Sequence, residues 1–139
     1  MKLDELLAWY GSLTPESVAR VREFYHEEAS FRDPFNKVSG HRAIEAVFQH
    51  MFENCTEPRF TIKDAHQSGD YAWVTWRFTL RLRGAPAEVE GVSRLRFEGG
   101  GRISEHCDYW DSLEMFAAMP MLGPLFRFMK GKMAAERGA

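Results

Sequence analysis

Tyr71-Ala72-Trp73-Val74-Thr75-Trp76-Arg77-Phe78-Thr79-Leu80-Arg81-Leu82-Arg83 alternates without a break. Val74, Trp76, Phe78, Leu80 and Leu82 fall on one side; Thr75, Arg77, Thr79, Arg81 and Arg83 fall on the other. A period of two over this length predicts a long strand with one buried and one solvated face. Upstream, Phe60-Thr61-Ile62-Lys63 alternates in the same way. Downstream, Val89, Ser93, Leu95 and Phe97 oppose Glu88, Glu90, Arg94 and Arg96. Glu98-Gly99-Gly100-Gly101 reads as a hairpin loop, and Arg102 to Asp111 returns as the last strand. Across the Gly84-Ala85-Pro86 connection, Arg81 and Arg83 are placed to pair with Glu88 and Glu90, a surface contact of small energy.

The first half reads as helical. Leu3, Leu6, Leu7 and Tyr10 keep helical spacing, and Gly11 offers a stop. Thr14-Pro15-Glu16 supplies an N-cap and a proline at the first helical position. It predicts a second helix to about His26, with Val18, Val21, Phe24 and Tyr25 as its apolar stripe. A third helix is predicted from about His41 to Asn54, burying Ile44, Val47, Phe48 and Met51. Helices followed by a long antiparallel sheet predict an α+β domain, with the helical layer packed on one curved face and a pocket between them.

One domain accounts for 139 residues, a length that buries roughly two-thirds of the unfolded surface. The chain is 45% hydrophobic and 27% charged, with 11 Phe, 4 Tyr and 4 Trp, so a bulky core or an aromatic-lined cavity is expected. A net charge of −2 without a basic run speaks against a nucleic-acid partner. Met1 to Leu6 carries acids where a signal peptide is basic and then apolar. The apolar stretch from Leu113 to Met129 is broken by Pro120, Gly123 and Pro124, which argues against a membrane span. Cys55 and Cys107 have no metal or redox spacing, and reduced thiols in a cytoplasmic protein are expected. The methionines at 115, 119, 121, 129 and 133 read as core or lid packing in a C-terminal helical extension, residues 119–139.

The candidates for chemistry are Asp33, in Phe31-Arg32-Asp33-Pro34-Phe35, and His106 and Asp108, in His106-Cys107-Asp108-Tyr109-Trp110-Asp111. A carboxylate among aromatic rings on an inward face is costly and usually has a reason. Asp33 before proline also reads as turn chemistry, its carboxylate bonding nearby amides, and residue pattern favours that reading. His106 suits acid/base work near neutrality and equally suits a histidine bonded to a carboxylate in the sheet. His106, Asp108 and Trp110 share one face; Cys107, Tyr109 and Asp111 share the other. Trp110 argues for the first face as inward, Tyr109 with Ile103 for the second. Asp111-Ser112-Leu113-Glu114 reads as a capping box. His41, His50 and His66 lack metal-ligand spacing.

Two helices, then Phe31-Arg32-Asp33-Pro34, Gly40 opening a third helix, and Leu95-Arg96-Phe97-Glu98-Gly99-Gly100-Gly101-Arg102-Ile103 before the final strand: over residues 3–118 this resembles the SnoaL-like, nuclear-transport-factor-2-like superfamily. The resemblance implies a cone-shaped sheet around an internal hydrophobic pocket. It also implies cofactor-independent enzymes of the isomerase, cyclase, dehydratase or epoxide-hydrolase type, alongside non-catalytic binding modules. By its ketosteroid isomerases, Asp33 matches the general base, and His106, Asp108 and Trp110 face the cavity with Trp76, Phe78 and Leu80. Tyr10, Phe31, Phe35, Phe48 and Ser93 complete the implied ligand-binding set. The chain departs from those isomerases, whose oxyanion hole is a tyrosine and a protonated aspartate. Here those positions fall at Trp9, beside Tyr10, and at Ser93. Arg77-Phe78-Thr79 lacks the Arg-x-Asp of limonene epoxide hydrolase, while Asp108 resembles the late-strand aspartate of polyketide cyclases.

Two readings follow. In one, a hydrophobic small molecule undergoes proton transfer with Asp33 as base and Asp108 and His106 as acid or orienter, without metal or organic cofactor. In the other, Asp33 holds a turn, Asp108 pairs with His106 or an arginine, and the module binds a ligand or dimerises without catalysis. A homodimer through the sheet is expected in either case.

Overall fold

The computed structural model describes residues 3–82 and 84–113. Helix α1 (Leu3–Gly11) leads into a 3-10 turn (Ser17–Arg20), the short helix α2 (Val21–Phe24), strands β1 (Tyr25–Arg32) and β2 (Lys37–Ser39), and helix α3 (His41–Asn54). Strands β3 (Thr56–Ser68), β4 (Tyr71–Leu82), β5 (Ala85–Glu98) and β6 (Arg102–Trp110) follow. They form one six-stranded sheet in the order β2-β1-β6-β5-β4-β3. The sheet is curved and unclosed, with the helices on its concave side. The architecture is α+β, as the alternation and the helical spacing predict.

Local chemistry explains most of these elements. In α1, the helical stripe puts Leu6, Trp9 and Tyr10 into the core. In α3, Ile44 and Phe48 are buried, with Val47 and Met51 partly so. Gly40 precedes α3 at φ 92°, a conformation that costs glycine little and other residues more. The β4 alternation holds along its length: Val74, Trp76, Phe78 and Leu80 are buried.

Three expectations need correction. The helix anticipated from Thr14 to His26 stops at Phe24, after a 3-10 turn that Thr14 opens by accepting the Ser17 amide (3.1 Å). Tyr25 begins a strand instead: Tyr25, Ala29 and Phe31 lie at even separations and share the inward face, while Glu27 and Glu28 are exposed at an irregularity in β1. The sheet is mixed rather than wholly antiparallel: β1 runs parallel to β6, since the chain crosses from β1 through β2, α3 and three further strands before returning. The arginine pairing also shifts. Arg81 lies opposite Pro86 and donates to the Gly84 carbonyl, while Arg77 takes Glu88 at 2.9 Å. The tight connection between β4 and β5 sets that register, and Arg83 lies outside the described residues.

A second bulge settles which face of β6 is inward. Phe97 pairs with Ile103 and Arg96 with Glu105, so Ser104 is the extra residue. The alternation therefore changes phase at Ser104. Ile103 before it, and His106 and Asp108 after it, all point to the core, while Tyr109 stands 53% exposed. At the end of β6, Asp111 Oδ1 accepts the Leu113 amide (2.9 Å), as a capping residue does. Glu114, the methionines from 115 onward and the extension 119–139 lie outside the described residues.

Candidate functional site

Tyr10 from α1, Phe31 from β1, Phe48 from α3, Phe60 from β3, Trp76, Phe78 and Leu80 from β4, Val89 from β5 and Trp110 from β6 surround a cavity of about 420 Å³. Strand alternation aims each β residue inward, and the spacing of α3 aims Phe48 and Met51 at the same space. Asp33, Asn36, His50 and Asn54 add polar groups to the lining. Asp108 is the buried carboxylate on it, 8% exposed. A larger groove of about 660 Å³, lined by Gly11, Thr14, Glu57 and Arg59 among others, contains neither Asp108 nor His106. The candidate carboxylates Asp33 and Asp108 border the smaller, aromatic space.

Behind Asp108 runs a buried chain of hydrogen bonds. Trp76 Nε1–H donates to Ser93 Oγ at 2.9 Å, and the Ser93 hydroxyl donates to Asp108 Oδ1. The same Oδ1 lies 2.6 Å from His106 Nε2, and His106 Nδ1 lies 2.6 Å from the Tyr25 hydroxyl. Neighbouring strands bring the links together, since Ser93 pairs with Asp108 and Leu95 with His106 across β5 and β6. Asp108 Oδ2 takes part in none of these bonds. Among the described residues, Oδ1 takes both of the bonds made to this carboxylate.

The Tyr10 hydroxyl is buried and has no hydrogen-bond partner among the described residues. Burial first, then the Asp108 charge, raises the pKa of both Tyr10 and Tyr25 well above the ordinary phenol value. Both are therefore O–H donors at neutral pH. Ser93 is the polar side chain nearest in effect to the Tyr10 hydroxyl and partly offsets that rise.

The SnoaL-like domain model matches residues 6–106. The chain belongs to the SnoaL-like domain family. No curated protein matches it. Among solved structures, this SnoaL-like domain is similar to an NTF2-like protein of unknown function from Burkholderia pseudomallei, with 19% identity, 86% of this chain and 99% of that chain covered, and a TM-score of 0.75. An LEH-like epoxide hydrolase of M. tuberculosis matches at 16% identity, with 92% and 95% covered and a TM-score of 0.69. TerC, co-crystallised with polyporic acid, matches at 17% identity, with 84% and 95% covered and a TM-score of 0.73. Identities this low establish a shared fold and nothing about the ligand.

In this SnoaL-like domain, Asp33 and Asp108 do line one cavity. Their situations differ. Asp33 Oδ1 accepts the amides of Phe35 (2.8 Å) and Asn36 (2.6 Å), and both of its oxygens meet Asn36 Nδ2. That is the turn geometry which Asp-Pro predicts. His106 and Ser93 sit in the wall behind Asp108 and border only a narrow void beside Tyr10 and Tyr25. Phe35 packs edge-on against Trp110 with centroids 5.2 Å apart. Trp9 is turned away, its Nε1–H donating to the Ser17 carbonyl.

Tyr25 is the site residue that sequence reasoning missed, because helical spacing from Val18 absorbed it. Its signal was the alternation of Ala29 and Phe31 continued backward, which the exposed Glu27 interrupts. Among the described residues no group of three His, Cys, Asp or Glu side chains is placed to hold a metal, and none of the helices there is long and apolar enough to cross a membrane. Cys55 and Cys107 are free.

Proposed function

We propose that this domain binds a hydrophobic, oxygen-bearing ring compound in the aromatic cavity and moves a proton on it through Asp108. The observation that carries the reading is the divided carboxylate. Oδ1 is anchored by Ser93 and His106, Oδ2 takes part in neither bond, and the residue borders the aromatic cavity. A carboxylate held in this way is an oriented general base. The Tyr10 hydroxyl supplies the complementary donor, for a carbonyl, hydroxyl or epoxide oxygen of the ligand. The reaction class is cofactor-independent isomerisation, cyclisation, dehydration or epoxide opening. Asp33, whose oxygens are engaged by the turn, shapes the cavity instead of serving as its base.

The test is turnover of a panel of cyclic epoxides, β,γ-unsaturated cyclic ketones and aromatic polyketide-like diketones by the wild type and Asp108→Asn. For any compound turned over, the variant should lose about 100- to 10,000-fold in kcat, with binding by fluorescence quenching largely kept. Asp33→Asn should lose far less. Equal turnover by Asp108→Asn would overturn the assignment. Tight binding of these compounds without turnover would favour the non-catalytic module, in which the Asp108–His106 contact is structural.

The outer face of the sheet is proposed as the homodimer surface. Trp73, 40% exposed, and Tyr109, 53% exposed, stand there with Arg32, Arg94 and Arg96, a composition enriched at protein interfaces. Sedimentation equilibrium should give twice the chain mass. Tyr109→Glu should return the monomer, and a monomeric wild type would refute the surface.

A further inference from the structure

We propose that Tyr25 is a positioning residue whose hydroxyl holds His106 in one form, a neutral imidazole donating from Nε2 to Asp108 Oδ1. The inference rests on the reading of Asp108 as the base and says how the partner of that base is kept.

The argument is an accounting of hydrogens. Tyr25 is fully buried, with its ring stacked on the His106 ring at 5.8 Å and 8° and its hydroxyl 2.6 Å from Nδ1. His41 Nε2 lies 2.7 Å from the Tyr25 carbonyl, so its backbone is pinned as well. With a neutral ring protonated at Nε2, Tyr25 O–H donates to Nδ1, Nε2–H donates to Asp108 Oδ1, and every donor is used. If the ring becomes an imidazolium, Nδ1–H must donate to the tyrosine oxygen. The phenol proton then has no acceptor among the described residues. If a proton sits on Asp108 Oδ1, Nε2 becomes the acceptor, the ring proton moves to Nδ1, and the same phenol proton is stranded. A proton on Oδ2, the atom outside the chain, leaves every bond as it is. The states that protonate Nδ1 leave a buried hydroxyl unpaired; the neutral Nε2–H ring does not.

The surroundings add no rival. The titratable groups facing the ring are Tyr10 on α1, Tyr25 on β1 and Asp108 on its own strand, with Asp33 acting on Tyr10 from further off. The strands on either side offer Phe31 and Leu95 as its pairing partners, α3 offers Phe48 beyond Phe31, and β4 offers Val74. The phenol does not relieve the constraint by ionising, because burial and the Asp108 charge oppose it. His106 is therefore a fixed donor to Asp108 Oδ1, and Oδ2 is the carboxylate oxygen left outside the chain.

The test needs no ligand. ¹⁵N NMR of ring-labelled histidines should show His106 protonated only at Nε2 in the wild type at neutral pH. In Tyr25→Phe the Nδ1 lone pair loses its donor, so the Nδ1 resonance should move downfield of its wild-type position, as that of a lone pair accepting no bond does. A wild-type ring protonated on both nitrogens or on Nδ1, or an Nδ1 resonance unmoved by Tyr25→Phe, overturns the proposal. If Tyr25→Phe does not fold, the wild-type ring pattern decides. An inactive domain with the Nε2–H ring would refute the catalytic reading and leave this one standing.

Discussion

Replacing Gly91 with alanine is expected to lower the melting temperature by about 10 °C, the equivalent of roughly 3 kcal/mol for a chain of this size. Gly91 lies on β5 between Trp76 of β4 and Trp110 of β6. A Cβ there would sit 2.5 Å from Trp76 Cη2, 2.7 Å from its Cζ2 and 2.9 Å from the Tyr109 carbonyl oxygen. The indole cannot swing aside cheaply, because it is 2% exposed and packed edge-on against Phe60. The Tyr109 oxygen belongs to the sheet backbone and cannot yield without straining β6. Any shift of Trp76 also pulls Nε1 from Ser93, loosening the first link behind Asp108. Calorimetry of the variant checks this. An unchanged melting temperature would mean that the indole has room the packing does not show.

His106→Leu should cost about 3–5 kcal/mol, the usual result of stripping one partner from a buried ion-paired or hydrogen-bonded group. The leucine leaves Asp108 Oδ1 with Ser93 alone among its described partners, and it strands the Tyr25 hydroxyl, whose bond to Nδ1 disappears. The double variant His106→Leu/Asp108→Leu removes the charge along with its partner, so it should be more stable than His106→Leu. Chemical denaturation of both variants, the Asp108→Leu single and the wild type closes the cycle. A double variant weaker than the sum of its parts would show that the polar chain supports the fold by more than mutual satisfaction.

Both predictions turn on residues that the sequence shows plainly yet does not relate. Gly91 has an ordinary place in β5, and only the register against Trp76 explains why it lacks a side chain. Asp33 and Asp108 were legible as candidates, and the cavity joins them. Their difference was not legible, because it depends on Asn36 closing the turn on Asp33 and on Ser93 and His106 holding Asp108 from across the sheet. Tyr25 was hidden for a related reason: Glu27, exposed at the position between it and Ala29, interrupts the apolar alternation by which its strand would be recognised.

From the sequence by itself came the α+β class, α1 and α3, β4 through β6 with their hairpin loop, the family resemblance and the aromatic inner face. Each of these rests on short-range periodicity, turn chemistry or motif order, which a linear chain displays directly. The tertiary structure decided the inward face of β6, the parallel β1–β6 pair, the start of β1 at Tyr25 and the line from Trp76 to Tyr25. Bulges move the phase of a strand by one residue, and hydrogen bonds between distant strands depend on that phase. A pattern read along the chain therefore stops at each bulge, and contacts across the sheet determine what lies beyond it.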